Sequence, residues 1–289
     1  MSGNETSSQR QGRRDFLKTT SAAAVGTSLL SLSGLQSSVY ADSSDILKVG
    51  LIGCGGRGTG AARQALNADA GTKLVAMADT FSDKIENSLH NLSTFKDVVE
   101  KIDVPAENKF SGFDGYKNVI DMCDVVLLAT PPHFRPEHIR YAVEKGKHIF
   151  AEKPVAVDAP GVRSVMESCR LAKEKGLAVV SGLCYRYDQA KVETYAQIQE
   201  GLIGEIVSMR ASYFTRGLWS HERQVDWSDM EYQVRNWLYY NWLSGDHINE
   251  QHIHSIDKMA WAMQDVPPLS VSATGGRESP HPGNLRKRL

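Results

Sequence analysis

The sequence has almost no net charge and few cysteines. Its 33 basic and 34 acidic side chains give a formal net charge of -1 over 289 residues, so no global electrostatic attraction favours nucleic acid or an anionic membrane as a partner. The four cysteines form no C-x-x-C pair, which argues against a zinc ribbon or a disulfide scaffold. We expect all four to be buried small hydrophobic side chains. A hydrophobic fraction of 41% excludes a disordered chain and suits one large or two ordinary domains.

The first forty or so residues differ in composition from the rest. Arg13 and Arg14 lead into a Ser/Ala/Leu-rich run over 19–35, and Val39-Tyr40-Ala41 follows. This pattern resembles the signal of the bacterial twin-arginine export pathway, which implies cleavage after Ala41 and a periplasmic or extracytoplasmic protein. A membrane helix is the alternative, but the run is short, interrupted by Ser and Gly, and poor in large side chains. We predict a signal peptide over 1–41 and no membrane span after its removal.

A glycine motif follows the first strand pattern. The apolar run 46–52 ends in Gly53-x-Gly55-x-x-Gly58, and residues 61–68 have helical composition. Gly53 would allow a tight turn, Gly55 would let a pyrophosphate approach the backbone, and Gly58 would allow close packing of helix on strand. The helix N-terminus would face the anion. Strand, loop and helix in this order predict a dinucleotide-binding unit.

An acidic residue ends the next predicted strand, which covers 73–79. Asp79 lies about 20 residues past the motif, where a carboxylate accepts hydrogen bonds from the adenosine ribose hydroxyls. It would repel a 2′-phosphate, so NAD is predicted rather than NADP. The alternative is a glycine-rich loop with a solvated Asp at a strand end.

Predicted strands and helices continue to alternate. We expect further strands over 124–129, 148–151 and 177–183, and helices over 82–99, 114–122, 137–145 and 161–175. This alternation predicts an α/β fold, a Rossmann doubly wound parallel sheet with right-handed crossovers. Ligands bind beyond the carboxyl ends of such strands. Four residues should therefore meet at one edge of the sheet: Gly53, Asp79, Thr130 and Lys153.

These motifs together resemble one known family. In order along the chain, they are the glycine motif, the strand-end acid, Ala129-Thr130-Pro131-Pro132, and a segment that ends in Glu152-Lys153-Pro154. The set resembles the glucose-fructose oxidoreductase / inositol dehydrogenase / rhizopine-catabolism oxidoreductase (Gfo/Idh/MocA) family, from about residue 47 to about residue 276. The resemblance implies that NAD is held by residues of these motifs: Gly53, Gly55, Arg57, Gly58, Asp79, Thr130, Pro131, Glu152 and Lys153.

The resemblance also implies catalytic residues. In the family, the Lys that matches Lys153 lies beside the nicotinamide and polarises the substrate hydroxyl, as an ammonium near a developing alkoxide would; a solvated lysine is the alternative. Further on, Glu250, His254 and Asp257 fall at the family's Asp, His and Asp positions, and on a helix they share a face with Trp261. His254 is then the candidate base, and Glu250 orients it or binds substrate. A structural histidine is the alternative.

Three positions depart from the family pattern. Glu250 is one methylene longer than the usual Asp, His252 replaces a small residue, and Arg135 stands where relatives often carry His. These changes bear on the substrate more than on the reaction class. His247, Glu250 and His254 could share a face as zinc ligands do, but the spacing matches neither H-E-x-x-H nor H-x-x-E-H. No metal is predicted.

The chain changes character after residue 184. We predict a Rossmann domain over 42–184 and a partial α+β domain over 185–289, with a helix over 188–201, a strand over 204–213 and an open, mostly antiparallel sheet. The resemblance implies that this domain often mediates oligomers, so a homo-oligomer is expected if the second domain is complete. Residues 277–289 read as neither strand nor cap, so we expect a shortened domain with exposed sheet edges and apolar surface.

Aromatic residues concentrate over 218–242 and suit a carbohydrate or polyol, since their faces stack on sugar rings; core or oligomer contact is the alternative for any one of them. Candidate substrate contacts are Arg186, Trp242, His252 and Asp257. The family resemblance together with these aromatic residues predicts an NAD-dependent oxidoreductase acting on a secondary hydroxyl of a sugar, inositol or glycoside. A glycoside hydrolase that uses tightly bound NAD is the first alternative, and a non-catalytic sugar- or nucleotide-binding protein is the second.

Overall fold

The computed structural model describes residues 46–215 and 218–276. The predicted signal peptide over 1–41 and the tail over 277–289 lie outside the described residues. The strands are β1 (Leu47–Ile52), β2 (Thr72–Asp79), β3 (Lys109–Ser111), β4 (Val125–Leu128), β5 (His148–Ala151) and β6 (Val179–Ser181). The α-helices are α1 (Gly56–Ala68), α2 (Ser82–Ser93), α3 (Gly115–Met122), α4 (Arg135–Glu144), α5 (Ala159–Glu174), α6 (Gln189–Gln199), α7 (Asp229–Arg235), α8 (Asn241–Ser244) and α9 (Ile253–Ala262). A π-helical turn, Ile248–His252, leads into α9, and short 3-10 turns cover Val99–Lys101, Ala106–Asn108, Cys184–Tyr187 and Trp237–Tyr239.

The six strands form one parallel sheet in the order β3-β2-β1-β4-β5-β6. Ile52 at the end of β1 is aligned with Ala78 of β2 on one side and Leu128 of β4 on the other. The strand order reverses between β1 and β4, and this reversal opens a crevice at the carboxyl ends of the strands. The structure thus confirms the predicted Rossmann α/β fold.

Each face of the sheet has its own apolar core. Residues of α3, α4 and α5 pack on one face with Val126 and Leu128, while residues of α1 and α2 pack on the other with Val49 and Leu51. Strands covered on both faces must be apolar at successive positions, which explains the unbroken apolar runs of β1 and β4. The two helix layers fix the strand ends on which the site is built.

The second half differs from its prediction. Residues 204–213 and 269–276 form no strand, and the described residues after β6 contain none, so the expected open sheet is not seen in that part. A strand needs a paired neighbour to satisfy its backbone N–H and C=O groups, and none of the described strands pairs with these segments. Among the described helices, none is long and apolar enough to cross a membrane.

Two smaller expectations are also corrected. Cys54 and Cys123 are buried, but Cys169 and Cys184 are exposed. The prediction that all four cysteines are buried is therefore wrong for two of them. The helix predicted over 82–99 ends at Ser93, and Val99 instead begins a 3-10 turn. The edge strand β3 was not predicted, since its three residues are too few to show a period.

Candidate functional site

The glycine motif forms the turn between β1 and α1 with the expected division of roles. Gly53 has a φ of +94°, and a Cβ there would lie 2.6 Å from the backbone of Ala129. A Cβ on Gly58 would lie 1.8 Å from the carbonyl oxygen of Gly53, so α1 can pack this closely on the turn only with glycine. Apart from the chain neighbours of Gly55, no atom of the described residues lies within 4 Å of its Cβ position. The backbone is therefore open beside the start of α1, as a bound pyrophosphate requires.

Asp79 fastens the same turn from β2. Its Oδ2 accepts a 2.7 Å hydrogen bond from the Cys54 N–H, and its Oδ1 accepts one of 3.0 Å from the Phe81 N–H. Burial raises the pKa of Asp79, while the two backbone hydrogen bonds act in the opposite direction. A carboxylate has about four lone-pair sites, so two remain for ribose hydroxyls.

A cleft lies beside Asp79 at the sheet's carboxyl edge. It is lined by Ile52, Ala78, Asp79, Thr80, Gly112, Phe113, Tyr116, Thr130, Phe134 and His138. Apolar and aromatic walls around one carboxylate suit a nucleoside. Phe113, Phe134 and His138 were not predicted. Phe134 lies two residues after the Thr130-Pro131-Pro132 motif, so the strand end could have indicated it, whereas His138 lies on α4.

Thr130 meets a neutral histidine in this cleft. The Thr130 Oγ1 and His138 Nδ1 lie 3.4 Å apart, and the His138 ring stacks on Tyr116 with centroids 4.1 Å apart. Burial, and secondarily the charge of Arg135, lowers the pKa of His138 to about 3. His138 is therefore uncharged at neutral pH and forms part of the wall of the cleft.

Lys153 and Glu250 form a buried ion pair. The Lys153 Nζ donates to Glu250 Oε1 at 2.8 Å and also donates to the Glu250 main-chain carbonyl. The two side chains are only 13% and 10% exposed. Burial raises the pKa of Glu250, against the lowering effect of Lys153 and Arg135. Glu250 Oε2 is buried without a hydrogen-bond partner in the described part of the chain and can accept one from a ligand hydroxyl.

His254 lies about one helical turn after Glu250, at the start of α9. Its ring makes an edge-to-face contact with Tyr185 at 5.2 Å and a stacked one with Tyr213 at 6.2 Å. Burial lowers the pKa of His254, and the positive charges of Lys153 and Lys258 lower it further. The imidazole is thus neutral at neutral pH, the state in which it can take a proton.

The Glu-Lys-Pro residues each bind a different element. Glu152 accepts a 2.6 Å hydrogen bond from the Arg57 Nε in the first turn of α1, Lys153 binds Glu250, and the Pro154 carbonyl accepts from Arg135 at the start of α4. The predicted cofactor residues Arg57, Glu152 and Lys153 are thus brought together. This short segment connects the glycine turn to the π turn.

The candidate substrate contacts separate into groups. Arg186 donates hydrogen bonds to Asp257 at 2.9 Å and to Asp265 at 2.6 and 2.9 Å. The Arg186 guanidinium is thus paired with the two carboxylates. Trp242 donates its indole N–H to Gln233 and stays 38% exposed. Its ring lies 5.1 Å from that of His133, just after Pro132.

His252 lies with the catalytic candidates. Its ring centroid is 4.9 Å from that of His247 and 5.9 Å from that of Tyr213. Its Nδ1 is buried without a partner among the described residues. His252, His254 and Tyr213 therefore form one aromatic cluster.

The predicted helical face divides at the π turn. Glu250 lies in that turn and binds Lys153, whereas Asp257 on α9 binds Arg186 and the Trp261 ring lies beneath the Arg186 guanidinium. A π turn has a longer repeat than an α-helix, so the α-helical spacing does not carry across it. Over residues 46–215 and 218–276, no three His, Cys, Asp or Glu side chains group as a metal site.

The chain is similar in sequence to a family of oxidoreductases and to curated proteins with different activities. Residues 47–183 match the model of an oxidoreductase family with an NAD-binding Rossmann fold, GFO_IDH_MocA. A glycosyl hydrolase family 109 protein of Solibacter usitatus is 27% identical over 240 residues, which cover 78% of this chain and 52% of that protein. A 2,7-anhydro-N-acetylneuraminate hydratase of Escherichia coli is 27% identical over 156 residues, 54% of this chain and 37% of that protein. The chain spans about half the length, or less, of these curated relatives.

A solved structure shares the fold over most of the chain. The crystal structure of myo-inositol 2-dehydrogenase from Lactobacillus plantarum is 25% identical, with a TM-score of 0.55 over 75% of this chain and 56% of that one. The family match contains the glycine turn, Asp79 and the Glu-Lys-Pro segment. Residues 47–183 thus match the Gfo/Idh/MocA family of oxidoreductases with an NAD-binding Rossmann fold.

Proposed function

We propose that this protein is an NAD-dependent oxidoreductase that transfers hydride between a secondary hydroxyl of a sugar, inositol or glycoside and the nicotinamide. The observation that carries the proposal is the buried Lys153–Glu250 pair next to the neutral His254, at the ligand-binding edge of the sheet. Similarity to a myo-inositol 2-dehydrogenase supports a polyol or sugar as substrate.

The residues of the edge fit the cofactor. The open backbone at Gly55 and the first turn of α1 would hold the pyrophosphate. Asp79 would bind the adenosine ribose, and the Glu152–Lys153 segment would lie at the nicotinamide end. When bound, NAD supplies the hydride acceptor; the acid–base chemistry belongs to the protein.

Three side chains divide that chemistry. The Lys153 ammonium, held by Glu250, would donate a hydrogen bond to the substrate hydroxyl and stabilise negative charge on its oxygen as the hydroxyl ionises. The hydroxyl proton would pass to the His254 imidazole, whose lowered pKa keeps it unprotonated beforehand. The Oε2 of Glu250, which has no hydrogen-bond partner among the described residues, would accept a hydrogen bond from a neighbouring substrate hydroxyl and so orient the ring.

The test is to assay a panel of inositols, sugars and glycosides with NAD and to measure turnover through the absorbance of the NADH that forms. Lys153→Ala and His254→Ala should each remove activity, while Lys173→Ala, an exposed lysine on α5, should retain it. Full activity in the Lys153 and His254 variants would show that the site is assigned wrongly. Cofactor binding without turnover of any substrate in the panel would support a binding protein instead.

A second candidate is a glycoside hydrolase that would keep NAD bound, with oxidation of the sugar, elimination of the aglycone, addition of water to the resulting double bond and reduction of the product. The family 109 glycosyl hydrolase of Solibacter usitatus, which matches 78% of this chain, favours it. Aryl glycosides assayed without added NAD distinguish the two. Release of the aryl alcohol would support the hydrolase, whereas NADH formation from free sugar would support the dehydrogenase.

We also propose export by the twin-arginine pathway, which rests on the sequence pattern at Arg13 and Arg14. Residues 1–41 fused to a reporter should direct it to the periplasm, and replacing both arginines by lysine should prevent this.

Homo-oligomer formation is proposed from the exposed apolar side chains of the second half, such as Val207 and Phe214. Light scattering on the purified protein tests it, and a monomer at all concentrations would contradict it.

A further inference from the structure

Arg135 is a buried cation next to the proposed catalytic pair. It begins α4, is only 3% exposed, and donates from one terminal nitrogen to the Pro154 carbonyl. Its Nε is buried without a hydrogen-bond partner in the described part of the chain. Burying a guanidinium costs several kcal/mol by general estimates, so an arginine retained here needs a compensating role.

The surroundings of Arg135 supply that role. Pro154 directly follows Lys153, whose ammonium binds Glu250, so the hydrogen bond to the Pro154 carbonyl holds the backbone that carries Lys153. The charged groups that act on Glu250 are Lys153, Arg135 and Glu152. Glu152 is already paired with Arg57 and Glu250 with Lys153, so Arg135 is a second cation that acts on Glu250.

We propose that Arg135 is a positioning residue that fixes the Lys153–Glu250 pair, because its guanidinium holds the Glu-Lys-Pro segment and adds a second buried positive charge near Glu250. This inference rests on the proposed function in that the pair is taken to act on the substrate. The contacts themselves do not depend on which sugar is turned over.

Arginine suits this position better than histidine. Burial lowers the pKa of Arg135 to about 10, so the side chain remains charged at neutral pH. His138, one turn further along α4, shows what a histidine becomes in this environment, since its pKa falls to about 3. A histidine at position 135 would supply neither the charge nor the planar fork of donors.

The first test is a carbon-13 NMR titration of Glu250 in the full chain, whose signal is identified by its loss in Glu250→Gln. In Arg135→Gln, the Glu250 titration should move to higher pH by about one unit, as expected when a nearby opposite charge is lost. Arg140→Gln is the matched control, because it removes an exposed arginine of the same helix and should move the titration by less than about 0.2 units. An unchanged Glu250 titration in Arg135→Gln would overturn the inference, whether or not any substrate has been found.

The second test keeps the charge and changes the geometry. Arg135→Lys should leave the Glu250 titration near its parental position. It should lower kcat by about tenfold to a hundredfold, the scale expected from misplacing a reacting group, with KM for NAD unchanged. If Arg135→Gln does not fold, Arg135→Lys decides alone: parental kcat would overturn the positioning role. A Glu250 titration that shifts as expected in Arg135→Gln, with no turnover in the parent protein, would instead count against the proposed function and leave the positioning role in place.

Discussion

Lys153 and Glu250 lie 97 positions apart in the chain, and their charged groups meet at 2.8 Å. The pair joins the segment after β5 to the π turn before α9, so it links the NAD-binding half of the chain to the half that follows it. Both side chains are nearly buried, so neither charge has much water to replace its partner. This contact determines both the stability and the chemistry expected of the site.

Removal of one partner should destabilise the fold strongly. Lys153→Met leaves the Glu250 carboxylate buried without the ammonium that binds it and is expected to lower the free energy of unfolding by about 3 to 5 kcal/mol. The double variant Lys153→Met/Glu250→Gln should recover part of this loss, because the Glu250 carboxylate is removed as well, while Arg135 keeps its hydrogen bond to the Pro154 carbonyl. Urea unfolding followed by circular dichroism measures both.

The matched control for this prediction is an exposed pair. Arg140 and Glu144 are bonded on the surface of α4 at 2.9 Å, and Arg140→Met should cost no more than about 0.5 kcal/mol. Equal losses in the two single variants would contradict the view that burial makes the Lys153 contact strong.

The Rossmann half could be predicted because its signals are local. The glycine motif, the apolar runs of β1 and β4, and Asp79 at the end of β2 each lie within one or two adjacent elements. The Lys153–Glu250 contact was not predicted, since no periodicity relates residues so far apart in sequence. The role of Arg135 was missed for a similar reason: only the fold brings α4 against Pro154.

The second half was harder to predict because its sequence patterns form regular structure only in the right surroundings. Residues 204–213 alternate as a strand would, yet they form none, since alternation does not supply a neighbouring strand to pair with. The spacing of Glu250, His254 and Asp257 predicted one α-helical face, but the π turn at Ile248–His252 changed the repeat. The family resemblance indicated these residues; the local geometry followed only from the structure.

Acid should destabilise the protein through His138. Its folded-state pKa of about 3 lies below the usual value of about 6.5, so the unfolded chain binds the proton more readily. The stabilisation is fully present above about pH 6.5 and is lost as the pH falls from there toward 3, by about 1.4 kcal/mol per pH unit. His138→Gln should lack this component. Unfolding free energies at several pH values from 7.5 to 5 compare the two proteins, and parallel pH dependences would show that His138 is not buried in its neutral form.

The glycine turn offers a contrast between folding and binding. Gly58→Ala would place a Cβ against the Gly53 carbonyl and is expected to cost about 3 kcal/mol or more in unfolding free energy. Gly55→Ala meets no neighbouring atom, so stability should change little while NAD affinity falls at least about tenfold, a loss of about 1.4 kcal/mol. Gly60→Ala, inside α1 and touching only the end of Arg57, should stabilise the helix by about 0.5 to 1 kcal/mol. Thermal melts with and without NAD separate these effects; a stable Gly58→Ala protein with parental affinity would contradict the packing described.

Asp79 is expected to set the choice between NAD and NADP. Its carboxylate is fixed at the cleft by the N–H groups of Cys54 and Phe81, so its charge lies where a 2′-phosphate would bind. Asp79→Asn removes that charge and keeps an acceptor, and the ratio of NADP to NAD affinity should rise at least about tenfold, which corresponds to about 1.4 kcal/mol. Asp83→Asn is the control, because Asp83 pairs with Arg235 and is not among the residues that line the cleft. Titrations of both cofactors against tryptophan fluorescence measure the ratio. An equal rise in the Asp83 variant would mean that general charge at this end of the sheet, rather than the fixed Asp79 carboxylate, selects the cofactor.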